Sequence, residues 1–95
     1  MRDRINQDML EKRCNYLNKI TGNPKAPWTR KDGKTTGNIG NYHIDMAYGG
    51  CKVVQMDNEC GGITNVTCGF NTKRETYDLL NSFIDGIIAG KELNK

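Results

Sequence analysis

The 95-residue chain is short of the residues that mark specialised classes of protein. It has two prolines, two phenylalanines, one tryptophan and one histidine, His43. No apolar run approaches the ~18 residues needed to cross a bilayer, so a membrane span is excluded and no membrane partner is expected. Cys14, Cys51, Cys60 and Cys68 are widely spaced, without the close cysteine pairs of a structural zinc site, which leaves three cysteines with His43 as a minor alternative. No glycine pair leads into a Lys-Ser/Thr at a helix start, which removes a phosphate-binding P-loop. Residues 1–8 lack the apolar core of a secretion signal, so the expected location is the cytoplasm of a bacterial host. There, disulfides do not form and Asn65-Val66-Thr67 is no glycosylation acceptor.

What is present is an ordinary soluble composition, 36% hydrophobic and 26% charged. A chain of this length buries about 60–65% of its unfolded surface, enough for one modest core, and residues 1–95 read as a single domain. The net charge of +3 favours an anionic partner. Lysines and arginines are scattered in ones, twos and threes, short of a nucleic-acid footprint, so a nucleic-acid partner is not expected.

Two amphipathic helices stand out. Over 2–21, Ile5, Met9, Leu10, Cys14, Tyr16, Leu17 and Ile20 share half a helical wheel, opposite Asp8, Glu11, Lys12, Asn15, Asn18 and Lys19. Arg13 falls inside the apolar arc as a snorkelling stem. Gly22 and Pro24 end the pattern. Over 72–90, Thr72 and Glu75 have capping-box spacing, and Tyr77, Leu79, Leu80, Phe83, Ile84, Ile87 and Ile88 form a wide apolar stripe. Gly90 is the expected stop before a tail at 91–95, and Gly86 in mid-helix suggests a close backbone approach.

Between them, 27–69 reads as an antiparallel meander of three to four strands, giving an α+β fold in the order α-β-β-β-β-α with both helices on one sheet face. Asp32-Gly33 and Gly49-Gly50 are the hairpin turns, and the last strand is expected over 63–68. A turn at Gly49-Gly50 would pair Tyr48 with Cys51, Met46 with Val53 and Ile44 with Gln55. One face then carries Tyr42, Ile44, Met46, Tyr48, Cys51, Val53 and Gln55. The other carries His43, Asp45, Ala47, Lys52, Val54 and Met56, a mixed face left to water or to a cover.

The chemistry-bearing residues favour binding over catalysis. His43 and Asp45 point away from Cys51, so a Cys–His–carboxylate arrangement fails for the nearest cysteine; Cys60 and Cys68 could enter one only through loop geometry, and free cysteines are mostly small packing residues. No catalytic residue, metal or cofactor is assigned. Trp28 beside Arg30, and Lys73-Arg74 at a helix N-terminus, pair stacking surface with cations. With Tyr42, His43, Tyr48 and Asn58 they make up the candidate binding set.

The stretch Asn41-Tyr42-His43-Ile44-Asp45-Met46-Ala47-Tyr48-Gly49-Gly50, followed by Asn58-Glu59-Cys60-Gly61-Gly62 and Arg74-Glu75-Thr76-Tyr77, resembles small uncharacterised accessory proteins encoded by phages and prophages of gut bacteria. That resemblance implies antagonism of host defence, by sequestering a nucleotide immune signal or by blocking a defence protein. The element order also resembles the double-stranded RNA-binding domain, although the basic run of that family is reduced here to Lys73-Arg74. The expectation is a non-enzymatic, homo-oligomeric binding protein for a small anionic ligand of nucleotide type. The alternatives are a protein–protein inhibitor or a double-stranded nucleic-acid-binding module.

Overall fold

A computed structural model describes residues 4–93. The order is α1 (Gln7–Thr21), β1 (Trp28–Lys31), β2 (Lys34–Gly37), β3 (Tyr42–Ala47), β4 (Gly50–Met56), β5 (Ile63–Asn65) and α2 (Lys73–Leu93). The fold is α+β with five antiparallel strands, divided between a β1-β2 ribbon and a β3-β4-β5 sheet. The expected single meander is therefore split. At the end of β2 the chain turns away from β3: Gly37 donates its N–H to Glu59 O (2.8 Å) and Gly40 to Met56 O (2.8 Å), so β2 crosses the end of β4.

Helix α1 begins later than the 2–21 expectation. Residues 4–6 are not helical, because the Asn6 side chain accepts the Met9 N–H (2.9 Å) and caps the helix there; residues 2 and 3 lie outside the described residues. Its C-terminus follows the expected chemistry. Gly22 is left-handed (φ 72°), and Asn23 donates to Asn18 O (2.9 Å), closing the last turn. In α2 the Thr72–Glu75 capping box forms, Thr72 Oγ1 accepting the Glu75 N–H (3.1 Å). Gly90 does not stop this helix, which continues to Leu93, and Lys91 donates to Ile20 O across the α1–α2 contact. A helical glycine costs about 1 kcal/mol against alanine, too little to break a docked helix. Nor does Gly86 mark a close approach, since a Cβ there would meet only open space.

The register of β3 on β4 is offset from the expectation. Ala47 pairs with Gly50, Met46 with Cys51, Ile44 with Val53 and Tyr42 with Gln55, so the turn is Tyr48-Gly49 with φ of 54° and 73°. Both central positions are left-handed, as a two-residue hairpin requires. Placing tyrosine there costs about 1–2 kcal/mol. The ring recovers part of that by packing edge-on against Phe70 (5.4 Å between centroids). Gly50 stays in the strand, where a Cβ would press on Asn71 O (3.0 Å) and Phe70. Its neighbour Cys51 exchanges two backbone hydrogen bonds with Asn71. The last strand likewise stops at Asn65, because Val66 and Thr67 both donate to Val53 O and break the ladder.

The offset keeps every strand side chain on its expected face, with Tyr48 now in the turn. Both helices cover the face bearing Tyr42 and Val53: Cys14 and Leu17 of α1 meet Leu80 and Ile84 of α2 over them. Arg13 reaches from α1 to α2, donating through Nε to Asn81 Oδ1 (2.8 Å). The opposite face is only partly open, as Val54 and Met56 are fully buried and Met56 lies beneath Gly37.

One buried polar contact fixes α1 to the sheet. Asn18, expected on the wet side of the helix, is buried; its Nδ2 donates to Tyr42 O (2.9 Å) and its Oδ1 accepts the Tyr42 N–H (2.7 Å). Asn18→Ala is expected to strand both groups of Tyr42 and destabilise the protein by about 2–4 kcal/mol, read as a drop in the midpoint of urea unfolding at unchanged slope.

Candidate functional site

A concavity of mixed chemistry lies where α1 meets β3. It is a cleft of about 290 Å³ lined by Glu11, Cys14 and Asn15 of α1, Lys25 and Pro27 of the following loop, and Tyr42, His43 and Ile44 of β3. A second hollow of about 420 Å³ adjoins it, lined by Asn15, Tyr16, Asn18, Lys19, Asn23 and Lys25. The two share Asn15 and Lys25. The clefts exist because Asn18 holds the C-terminal half of α1 against the start of β3, and Gly22 then turns the chain back so that Lys25 and Pro27 form a rim.

Local hydrogen bonds settle the protonation pattern of His43. Asn41 is fully buried, and its Nδ2 donates to Pro24 O (2.8 Å), which turns its Oδ1 toward His43 Nδ1 at 3.0 Å. An amide oxygen only accepts, so Nδ1 carries the proton and Nε2 is the acceptor. Burial holds the His43 pKa below its ordinary 6.5, with Asp45 opposing the shift. The ring is therefore neutral at neutral pH, with one acceptor nitrogen. Burial pushes the Cys14 thiol up to about 12, with Glu11 adding to the shift, and burial also raises the Tyr42 phenol. Cys14 stays a thiol and is an apolar floor rather than a nucleophile. Among the described residues, no group of three or more His, Cys, Asp or Glu side chains is placed to hold a metal ion.

The eight residues proposed from sequence do not form one site. Tyr42 and His43 line the cleft. Trp28 stands near it, 45% exposed, with its ring against Gly61. Asn58 shapes that same loop, its Oδ1 accepting the N–H groups of Cys60 (3.0 Å) and Gly62 (2.9 Å). Arg30 lies out on the exposed β1 strand. Tyr48 lies in the turn just beyond the other end of β3, about 20 Å from Tyr42 at ~3.4 Å per residue, and is 94% exposed. Phe70 there packs on Tyr48 and takes Lys52 Nζ over its ring at 4.4 Å. Lys73 and Arg74 open α2 nearby, but the helix N-terminus is occupied by its own acid: Glu75 Oε1 accepts from Thr72 N (3.3 Å) and Thr72 Oγ1 (2.8 Å).

Glu11, Cys14, Asn15, Lys25 and Asn41 were missed as site residues. Asn15 and Glu11 lie on the helix flank beside the apolar stripe, a position that sequence periodicity assigns to solvent. The only signal was the density of asparagines at 15, 18, 23, 38 and 41.

Comparison with protein-family models, with curated proteins and with solved structures finds no significant match in any of the three. Among the described residues no helix is long and apolar enough to cross a membrane.

The state of His43 carries a pH signature. Its folded pKa is depressed, so the unfolded chain binds the proton more readily and stability falls as pH drops below about 6.5. Melting temperature is expected to decline between about pH 7 and about pH 5, and His43→Gln is expected to flatten the upper part of that decline.

Proposed function

We propose that the chain is a non-catalytic binding protein for a small nucleotide-type ligand, seated in the double cleft around Lys25. The observation that carries this reading is the division of chemistry between the two hollows. One offers a neutral acceptor, His43 Nε2, beside Glu11 and Asn15, suited to the amino edge of a nucleobase. The other places Lys19 and Lys25 with the amide of Asn15, suited to a phosphate. Their sizes fall in the usual range for small-molecule sites. The thiol state of Cys14 supports binding without covalent chemistry. In the setting of the phage accessory proteins that the sequence resembles, such a protein would act as a sponge for a nucleotide immune signal.

The test is calorimetric titration and thermal shift with mononucleotides, cyclic nucleotides and cyclic dinucleotides. At tenfold excess over its dissociation constant a ligand stabilises by about 1.4 kcal/mol, so a rise in melting temperature is expected for at least one of them. Lys25→Ala is expected to weaken that ligand about tenfold or more, and the matching nucleoside without phosphate is expected to bind less tightly. Absence of any shift with millimolar nucleotide contradicts the reading.

A further inference from the structure

The β1-β2 ribbon is a basic arm. It contacts the rest of the protein at its base, where Trp28 rests on Gly61 and Gly37 donates to Glu59 O (2.8 Å), while Asn38 continues the ribbon's own pairing to Pro27 O (2.9 Å) and Ala26 O (2.9 Å). Beyond that base, every residue of β1 and the first two of β2 are exposed. An isolated two-stranded ribbon is marginally stable, and this one gains little core burial in return.

Its charge is equally unusual. The ribbon, residues 28–37, contains three cations, Arg30, Lys31 and Lys34, against one anion, Asp32. The rest of the chain holds eleven cations and ten anions, so +2 of the net +3 sits on this ten-residue segment. The pairing register sets Lys31 directly opposite Lys34, with Thr29 opposite Thr36 behind them. Cross-strand like charges oppose strand pairing, so the closed end of the ribbon works against its own stability. Among the described residues neither lysine nor Arg30 has an ion-pair partner, in contrast to Lys12, which pairs with Asp8 on α1. Alternation along β1 sends Lys31 and Lys34 to one side, where with Thr29, Thr36, Asn38 and the single acid Asp32 they line a shallow hollow of about 530 Å³, and sends Arg30 to the other.

We propose that this ribbon is a docking arm for duplex DNA, held through phosphates and without base-specific readout. A two-stranded ribbon fits the ~12 Å major groove of B-form DNA, and cations on both of its faces then meet both groove walls. The phosphates supply the counter-charge that the Lys31–Lys34 pair lacks within the protein. Cations that look scattered along the sequence are gathered by the Asp32-Gly33 turn, which has φ of 54° and 76°.

Fluorescence anisotropy with a labelled random-sequence DNA duplex tests this on the full chain. Weak binding at low salt is expected, with log K falling against log salt with a slope of about −2 to −3, as three phosphate contacts require. The double variant Lys31→Glu/Lys34→Glu is expected to lose at least tenfold in affinity while keeping its melting temperature, since both side chains are exposed. Lys12→Ala, on α1, is expected to bind like the parent. The double variant is also expected to keep nucleotide binding at Lys25, which separates failure of this proposal from failure of the cleft reading. No binding at low salt, binding indifferent to the charge reversal, retention on heparin without duplex binding, or tighter binding to an A-form RNA duplex, whose major groove excludes a ribbon, would each overturn it.

Discussion

A single asparagine side chain does for β3 what a neighbouring strand would otherwise do. Tyr42 begins the free edge of the three-stranded sheet, and its N–H and C=O point away from β4. Asn18 presents one acceptor and one donor in the spacing of a peptide group and satisfies both. Because both partners are buried, the contact tolerates no half-measures: losing it leaves two backbone groups without water or protein partners. It also sets the angle at which α1 leaves the sheet. Leu17 is thereby delivered to the main core and the polar flank of the helix is turned toward β3. The cleft, its histidine and its rim all depend on that placement.

What local chemistry determines was legible in advance. The turn at Asp32-Gly33, the left-handed Gly22 and the Thr72–Glu75 box each depend on residues within a few positions of one another, and each formed as read. The β3–β4 register was not legible, because the expected and observed pairings differ by two residues and leave every strand side chain on the same face; hydrophobic pattern cannot tell them apart. What separates them is the non-local packing of Gly50 and Cys51 against Phe70 and Asn71. The split into two sheets has the same origin, in the Gly37 and Gly40 hydrogen bonds to residues some 16–22 positions away. Asn18 was assigned to solvent because a helical wheel records hydrophobicity and is blind to an edge strand needing an amide.

The candidate site shows the same limit. Tyr42 and His43 were singled out as aromatic and titratable residues, but their partners Glu11, Asn15 and Lys25 come from a helix flank and a loop that only docking brings to β3. Tyr48, Lys73 and Arg74 belong to the opposite end of the sheet, and there the helix dipole is already met by Glu75. Charge follows a parallel course. A modest net +3 became informative only when the fold showed that +2 of it sits on one exposed ribbon, apart from a cleft whose lining carries both signs.

Amide hydrogen exchange read residue by residue tests the clamp most directly. Strand alternation points the N–H groups of Tyr42, Ile44 and Met46 alike away from β4, so without Asn18 all three would behave as free-edge amides. The account predicts that Tyr42 exchanges with the slow core of the protein, while Met46 in the same strand exchanges rapidly. Tyr42 exchanging as fast as Met46 would contradict it.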